Sequence, residues 1–217
     1  MCSFRLTVRN MRLLHYRSFL LIILLFLFSP CAATRDSLNP LQPLYDDETL
    51  ISLDGHFALG LFTPSNSQNQ YIGVWYYKIT VQTVVWVANR QNPLINSTGT
   101  LSITANGTLR ITNQDSIVDW STITTGLTSS VAQLLNNGNF VVRQDGESSG
   151  ASWQGFDYPM DTLLPGMKLG ISLTTRFSYT LTAWKSNHDP SPGEYYLAMD
   201  VIGDPQMFLY AGPFTEW

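Results

Sequence analysis

The chain has 217 residues, 12 Lys+Arg against 16 Asp+Glu, a net charge of -4, and only 13% charged residues. A net-acidic chain without Lys/Arg runs is excluded as a nucleic-acid binder, and 44% apolar residues exclude a disordered chain. Two cysteines supply neither a disulfide-rich scaffold nor a four-thiolate zinc site.

In chain order, residues 1–33 read as a secretory signal peptide. Arg5, Arg9, Arg12 and Arg17 precede ten unbroken apolar residues, Phe19 to Phe28. Ser29-Pro30 ends that run, and Cys31-Ala32-Ala33 puts small residues before a cleavage point. Ten helical residues cover about 15 Å, half a hydrocarbon core, so a membrane anchor is the weaker reading. No later run approaches the length of a span, so no membrane span is expected after cleavage. Cleavage removes Cys2 and Cys31, leaves no disulfide, and leaves 8 basic and 16 acidic side chains in residues 34–217.

From about Leu50 the apolar runs are short and rich in β-branched and aromatic residues: Phe57–Phe62, Tyr71–Tyr77, Thr83–Ala88, Leu101–Thr104 and Phe140–Val142. Turn residues separate them, as at Thr63-Pro64-Ser65-Asn66 and Asn96-Ser97-Thr98-Gly99. This spacing predicts an all-β sandwich, barrel or prism. An internal repeat narrows the choice. Asp54-Gly55-His56-Phe57, Asn106-Gly107-Thr108-Leu109 and Asn137-Gly138-Asn139-Phe140 share one pattern, each followed by alternating apolar residues. Asp-Gly and Asn-Gly predict two-residue hairpin turns at positive φ. Three such hairpins predict threefold pseudo-symmetry, with Trp75, Trp86, Trp120 and Trp153 filling the axis.

The residues that carry a resemblance are Tyr71-Ile-Gly-Val-Trp-Tyr-Tyr77, Thr83-Val-Val-Trp-Val-Ala-Asn-Arg90, Ala132-Gln-Leu-Leu-Asn-Asn-Gly-Asn-Phe-Val-Val-Arg143, the stretch Trp153 to Gly170, and Trp184-Lys-Ser-Asn-His-Asp-Pro-Ser-Pro-Gly193. In these the chain resembles plant bulb-type (mannose-binding) lectin domains, and more closely the extracellular part of S-domain, or G-type lectin, receptor-like kinases. The resemblance implies a β-prism of three four-stranded antiparallel sheets over 34–155. It implies the opening of an S-locus glycoprotein-like region over 156–217, cut short before the transmembrane and kinase parts. It also implies an extracellular, non-enzymatic recognition module, at the plasma membrane only within a longer receptor, with a family association with recognition of pollen. The implied partners are a mannose-type glycan, a receptor ectodomain or a second copy. An alternative is a module or soluble decoy that pairs with proteins and has no sugar affinity.

The family's mannose pocket reads Gln-x-Asp-x-Asn-x-Val-x-Tyr, alternate positions that share one strand face. The best match is Leu135, Asn137, Asn139, Val141 and Arg143, of which only Asn139 and Val141 fit. Asn137, Asn139 and Val141 are therefore the candidate, degenerate sugar site. The other copies, Ser52/Asp54/His56/Ala58/Gly60 and Thr104/Asn106/Thr108/Arg110/Thr112, depart further. With most of the polar fork missing, a hairpin kept for folding is the favoured reading. Asn96 and Asn106 head glycosylation sequons.

No catalytic residue, cofactor or metal ligand set is assigned. Gly146-Glu147-Ser148-Ser149-Gly150 matches Gly-x-Ser-x-Gly by letter but has no following helix, so a loop is expected. Asp157 and Asp161 suit turn chemistry better than a glycosidase pair. Asp46-Asp47-Glu48 reads as a solvated face rather than a calcium site. Residues 194–199 and 207–210 read as exposed strands lacking their partners.

Overall fold

The computed structural model describes residues 34–212, apart from 96–97, 125 and 148–149. The expected signal peptide, 1–33, with both cysteines, the sequon residue Asn96, and Ser148 of the Gly-x-Ser-x-Gly match lie outside the described residues.

The fold is all-β and antiparallel, with a single short 3-10 turn, Gly155–Asp157, among the described residues. The first strand, β1 (Ser37–Leu38), is set apart from its sequence neighbours. β2 (Thr49–Ile51), β3 (Phe57–Phe62), β4 (Asn69–Tyr76) and β5 (Val84–Val87) pair in that order, and β6 (Leu94–Ile95) joins the start of β4. β7 (Gly99–Ile103), β8 (Leu109–Asn113) and β9 (Val118–Ser121) make the second sheet. β10 (Ser130–Leu134), β11 (Phe140–Gln144) and β12 (Trp153–Gln154) make the third, and β1 closes its edge on β10. The expected three four-stranded sheets are thus unequal, with five, three and four strands. The second sheet is short because its outer partner shrinks to one bridge, where Leu44 and Leu101 exchange backbone hydrogen bonds at 2.8 and 2.9 Å.

The N-terminal segment touches all three sheets. Leu38 pairs with β10, Leu44 bridges to β7, and Leu50 pairs with β3. These leucines recur every six residues and are fully buried. Alternation supplies the rest of the core: Leu101 and Ile103 on β7, Leu109 and Ile111 on β8, Leu134 on β10 and Phe140 and Val142 on β11 point inward. Trp153 meets Trp86, Trp120 and Phe140 edge-on, at centroid distances of 6.0, 6.2 and 6.4 Å. Trp75, expected with these indoles, packs on the core from a half-buried position near Gly60.

After the 3-10 turn come β13 (Gly170–Ile171) and β14 (Ser178–Tyr179), a small hairpin. A three-stranded sheet follows: β15 (Leu181–Ser186), β16 (Asp189–Asp200) and β17 (Gln206–Ala211). Register shifts around Trp184 let β16 carry Pro190 and Pro192. The runs at 194–199 and 207–210 pair with each other, from Tyr195↔Ala211 to Asp200↔Gln206, so the expectation of unpartnered strands is corrected. Side chains of Tyr195, Phe208 and Leu209 on this hairpin remain exposed.

Candidate carbohydrate site

The three repeats form one kind of turn, each joining the first two core strands of a sheet. Gly55, Gly107 and Gly138 all sit at positive φ (68°, 92° and 85°), which explains the glycine in each. The loops are longer than the two residues expected. In the second copy Thr104 N donates to Thr108 O, and in the third Leu135 N donates to Asn139 O, which leaves three loop residues with glycine last. The first copy holds one residue more, because Ser52 N bonds Phe57 O and His56 O accepts from Tyr77 N instead.

The polar side chains of these copies serve the turns. In the first, Ser52 Oγ donates to Asp54 Oδ1 at 2.7 Å, and Asp54 Oδ2 lies 2.6 Å from His56 Nδ1. The Ser52 hydroxyl, helped by His56, holds the Asp54 carboxyl down at about 2. Serine, aspartate and histidine meet here, but the serine gives its proton to the aspartate and has no base, so the cluster is no nucleophile. In the second copy, Thr104 Oγ1 bonds Asn106 Oδ1 and accepts from Thr108 N. Asn106 is exposed, with the Thr108 hydroxyl 3.5 Å from its amide oxygen.

In the third copy Asn137 is exposed, and its Oδ1 accepts from Asn139 N at 3.1 Å. Asn139 is 6% exposed and Val141 is 4% exposed. Both ends of the Asn139 amide are occupied: Nδ2 donates to Gln154 Oε1 at 3.0 Å, and Oδ1 accepts from Phe156 N at 3.2 Å. Arg143 donates to Gln133 Oε1 at 2.5 Å and to Glu147 O, and Gln133 donates on to Asp36. Segment 154–168 lies over this turn. A Cβ on Gly138 would meet Leu164, and one on Gly166 would approach Asn137. The structure therefore brings Asn137, Asn139 and Val141 together but leaves only Asn137 open to solvent.

Sequence reasoning missed what covers this copy. Phe156, Met160 and Leu164 are buried in the main core cluster, and nothing in their local pattern separates them from loop residues. It also missed Arg90. Its Nε donates to Pro190 O at 2.7 Å, and its Nη2 reaches Thr182 O and Ala183 O at 3.3 and 3.2 Å. Burial lowers its pKa, while Asp161 and Asp189 work against that. Burial in turn raises the Asp161 pKa, with Arg90 opposing. Asp157 accepts from Gln154 at 3.0 Å and from Lys168 at 3.2 Å. Among the acidic trio, Glu48 pairs with Arg35 at 2.9 Å and Asp46 accepts from Gln70.

Antiparallel sheets joined by glycine turns around clustered indoles make an all-β fold of the β-prism class. Residues 83–185 match the D-mannose binding lectin family model. The chain is 42% identical over 205 residues to S-locus-specific glycoprotein S6 of Brassica oleracea, covering 91% of this chain and 47% of that protein. It is 39% identical over 203 residues to receptor-like serine/threonine-protein kinase SD1-8 of Arabidopsis thaliana, covering 90% of this chain and 24% of that kinase. Among solved structures, the Japanese Marasmius oreades lectin aligns with a TM-score of 0.43 at 17% identity, over 56% of this chain and 91% of that one. The S-locus glycoproteins and G-type lectin S-receptor-like kinases are homologues of this chain, which carries a bulb-type lectin domain. The chain spans about half the length of the glycoprotein and a quarter of the kinase. The family match falls on a lectin domain, and the chain holds no kinase domain. No helix among the described residues is long and apolar enough to cross a membrane.

Proposed function

We propose that the chain is an extracellular recognition module in which the three repeat turns serve as scaffold rather than as mannose pockets. The observation that carries this reading is Asn139. A sugar-binding amide must face its ligand with free donor and acceptor, whereas this one is buried and satisfied at both ends by Gln154 and Phe156. Arg143 is likewise engaged by Gln133 where the family pattern has a tyrosine hydroxyl.

The reading extends to the domain boundary and the address. Residues 1–33 direct secretion. Residues 34–155 form the prism, and 156–217 open a second module tethered through Phe156, Met160 and Leu164. Asn106, exposed beside a threonine hydroxyl, and Asn96 are the glycan acceptors, and a glycan at Asn106 covers the second copy.

A mannose-glycan array tests the scaffold role with the secreted chain and Asn137→Ala, whose side chain is exposed enough to spare the fold. No mannose signal from either protein is expected. Mannose binding by the native chain that Asn137→Ala abolishes would overturn the reading. Peptide mapping after glycosidase treatment tests the acceptors, with a mass shift expected at Asn106 and Asn96.

A further inference from the structure

A cleft of about 480 Å³ opens beside the clustered indoles, between the prism and the β14–β16 segment, and none of the three repeats lines it. Its floor is Trp86, Trp120 and Trp153. Trp86 Nε1 is fixed on Tyr158 O at 3.1 Å, and Tyr158 stacks on Trp153 at 5.9 Å. At the mouth, Tyr158 and Phe177 are 48% and 44% exposed, with Phe177 edge-on to Tyr158. The cleft thus offers solvent-facing aromatic rings whose orientation is locked from behind, with the volume of an ordinary small-ligand site, roughly 300–1,000 Å³.

Charge selects the ligand class. Among the described residues two charged side chains line the cleft, and both are engaged: Arg90 on the Pro190, Thr182 and Ala183 carbonyls, and Asp157 on Lys168 and Gln154. The polar groups left on the rim are neutral. Gln91 and Asn92 are exposed, and among the described residues their side-chain amides have no hydrogen-bond partner. Apolar rings facing uncommitted amides, with no free charge, suit a ligand that is neutral, flat on one face and rich in hydroxyls. We propose that this cleft binds a neutral pyranose chain with equatorial hydroxyls, of the β-linked glucosyl type. The axial C–H face lies on Tyr158, Phe177 stands edge-on beside it, and the hydroxyls meet Gln91 and Asn92. An equatorial substitution pattern leaves both ring faces free to lie on an aromatic ring, whereas an axial hydroxyl lifts one of them off.

The proposal does not rest on the scaffold reading of the repeats, and separate variants test the two. Intrinsic tryptophan fluorescence and calorimetry of the secreted chain are followed during titration with cellotetraose. A saturable response is expected, weakened about tenfold or more by Phe177→Ala and by Gln91→Ala, and unchanged by Asn137→Ala. Gln91 lies at the surface without a side-chain partner among the described residues, so Gln91→Ala keeps the test open even where Phe177→Ala perturbs the hairpin. Absence of a saturable response at roughly 10 mM cellotetraose, an affinity unaltered in both variants, or saturation by a tyrosine-containing peptide instead of the sugar would each overturn it.

Discussion

Asn139 works as a structural tie. It joins three pieces of chain: its own turn, Gln154 on β12, and the backbone of Phe156. Asn139→Ala leaves the buried Phe156 amide and the half-buried Gln154 side-chain carbonyl without this partner. A loss of about 2 kcal/mol in urea-unfolding free energy is expected. Asp54 offers a second handle at this scale. Its folded carboxyl titrates at about 2, below the ordinary 3.8 of a free aspartate. A depressed carboxyl contributes stability that is complete above 3.8 and is lost as pH falls toward 2. The melting-temperature gap between the native chain and Asp54→Asn is therefore expected to stay constant above about pH 5 and to close between 3.8 and 2. A gap that widens on acidification would contradict the Ser52–Asp54–His56 geometry.

Elements add constraints that single residues do not reveal. Gly138 and Gly146 share nearly the same backbone, with φ of 85° and 81°, yet a Cβ at Gly138 would lie 2.9 Å from Phe57 while one at Gly146 meets nothing within 4 Å. Alanine pays the same left-handed strain at both, so the difference between the two variants isolates packing. Gly138→Ala is expected to destabilise by about 1–3 kcal/mol more than Gly146→Ala in chemical denaturation. The repeat glycines were legible in the sequence because only glycine takes that conformation without cost. The loop length was not. Asn-Gly fixes a positive φ but leaves open whether two or three residues precede the return strand, and cross-strand pairing such as Leu134↔Phe140 decides it. The pairing of β16 with β17 was hidden for a similar reason. Both runs looked like strands, but partner choice is set in three dimensions.

For the molecule as a whole, the fold class and the repeat could be read from the sequence, whereas the closure of the third copy could not. That closure depends on Phe156, Met160 and Leu164 folding back across a turn formed some twenty residues earlier, and no local pattern announces a return of that kind. Arg90 is the matching long-range tie, reaching Pro190 across 100 positions of sequence. Arg90→Ala removes a guanidinium from three carbonyls. It is expected to raise amide hydrogen exchange across β15 and β16 while leaving β7 and β8 protected, at a cost of about 2–3 kcal/mol to the attached segment. Uniform exchange throughout both regions would show that the tie is dispensable.

The six-residue rhythm of Leu38, Leu44 and Leu50 has a consequence for the order of events at the ribosome. This segment leaves the ribosome before the three sheets it seals, yet β1 cannot pair until β10 has been made, since Ser37 and Leu38 lie opposite Gln133 and Ala132. Contacts of such long sequence separation are slow to form. The prism therefore cannot lock until β10 has been made, and nascent chains stopped before residue 130 remain open to chaperones and proteases.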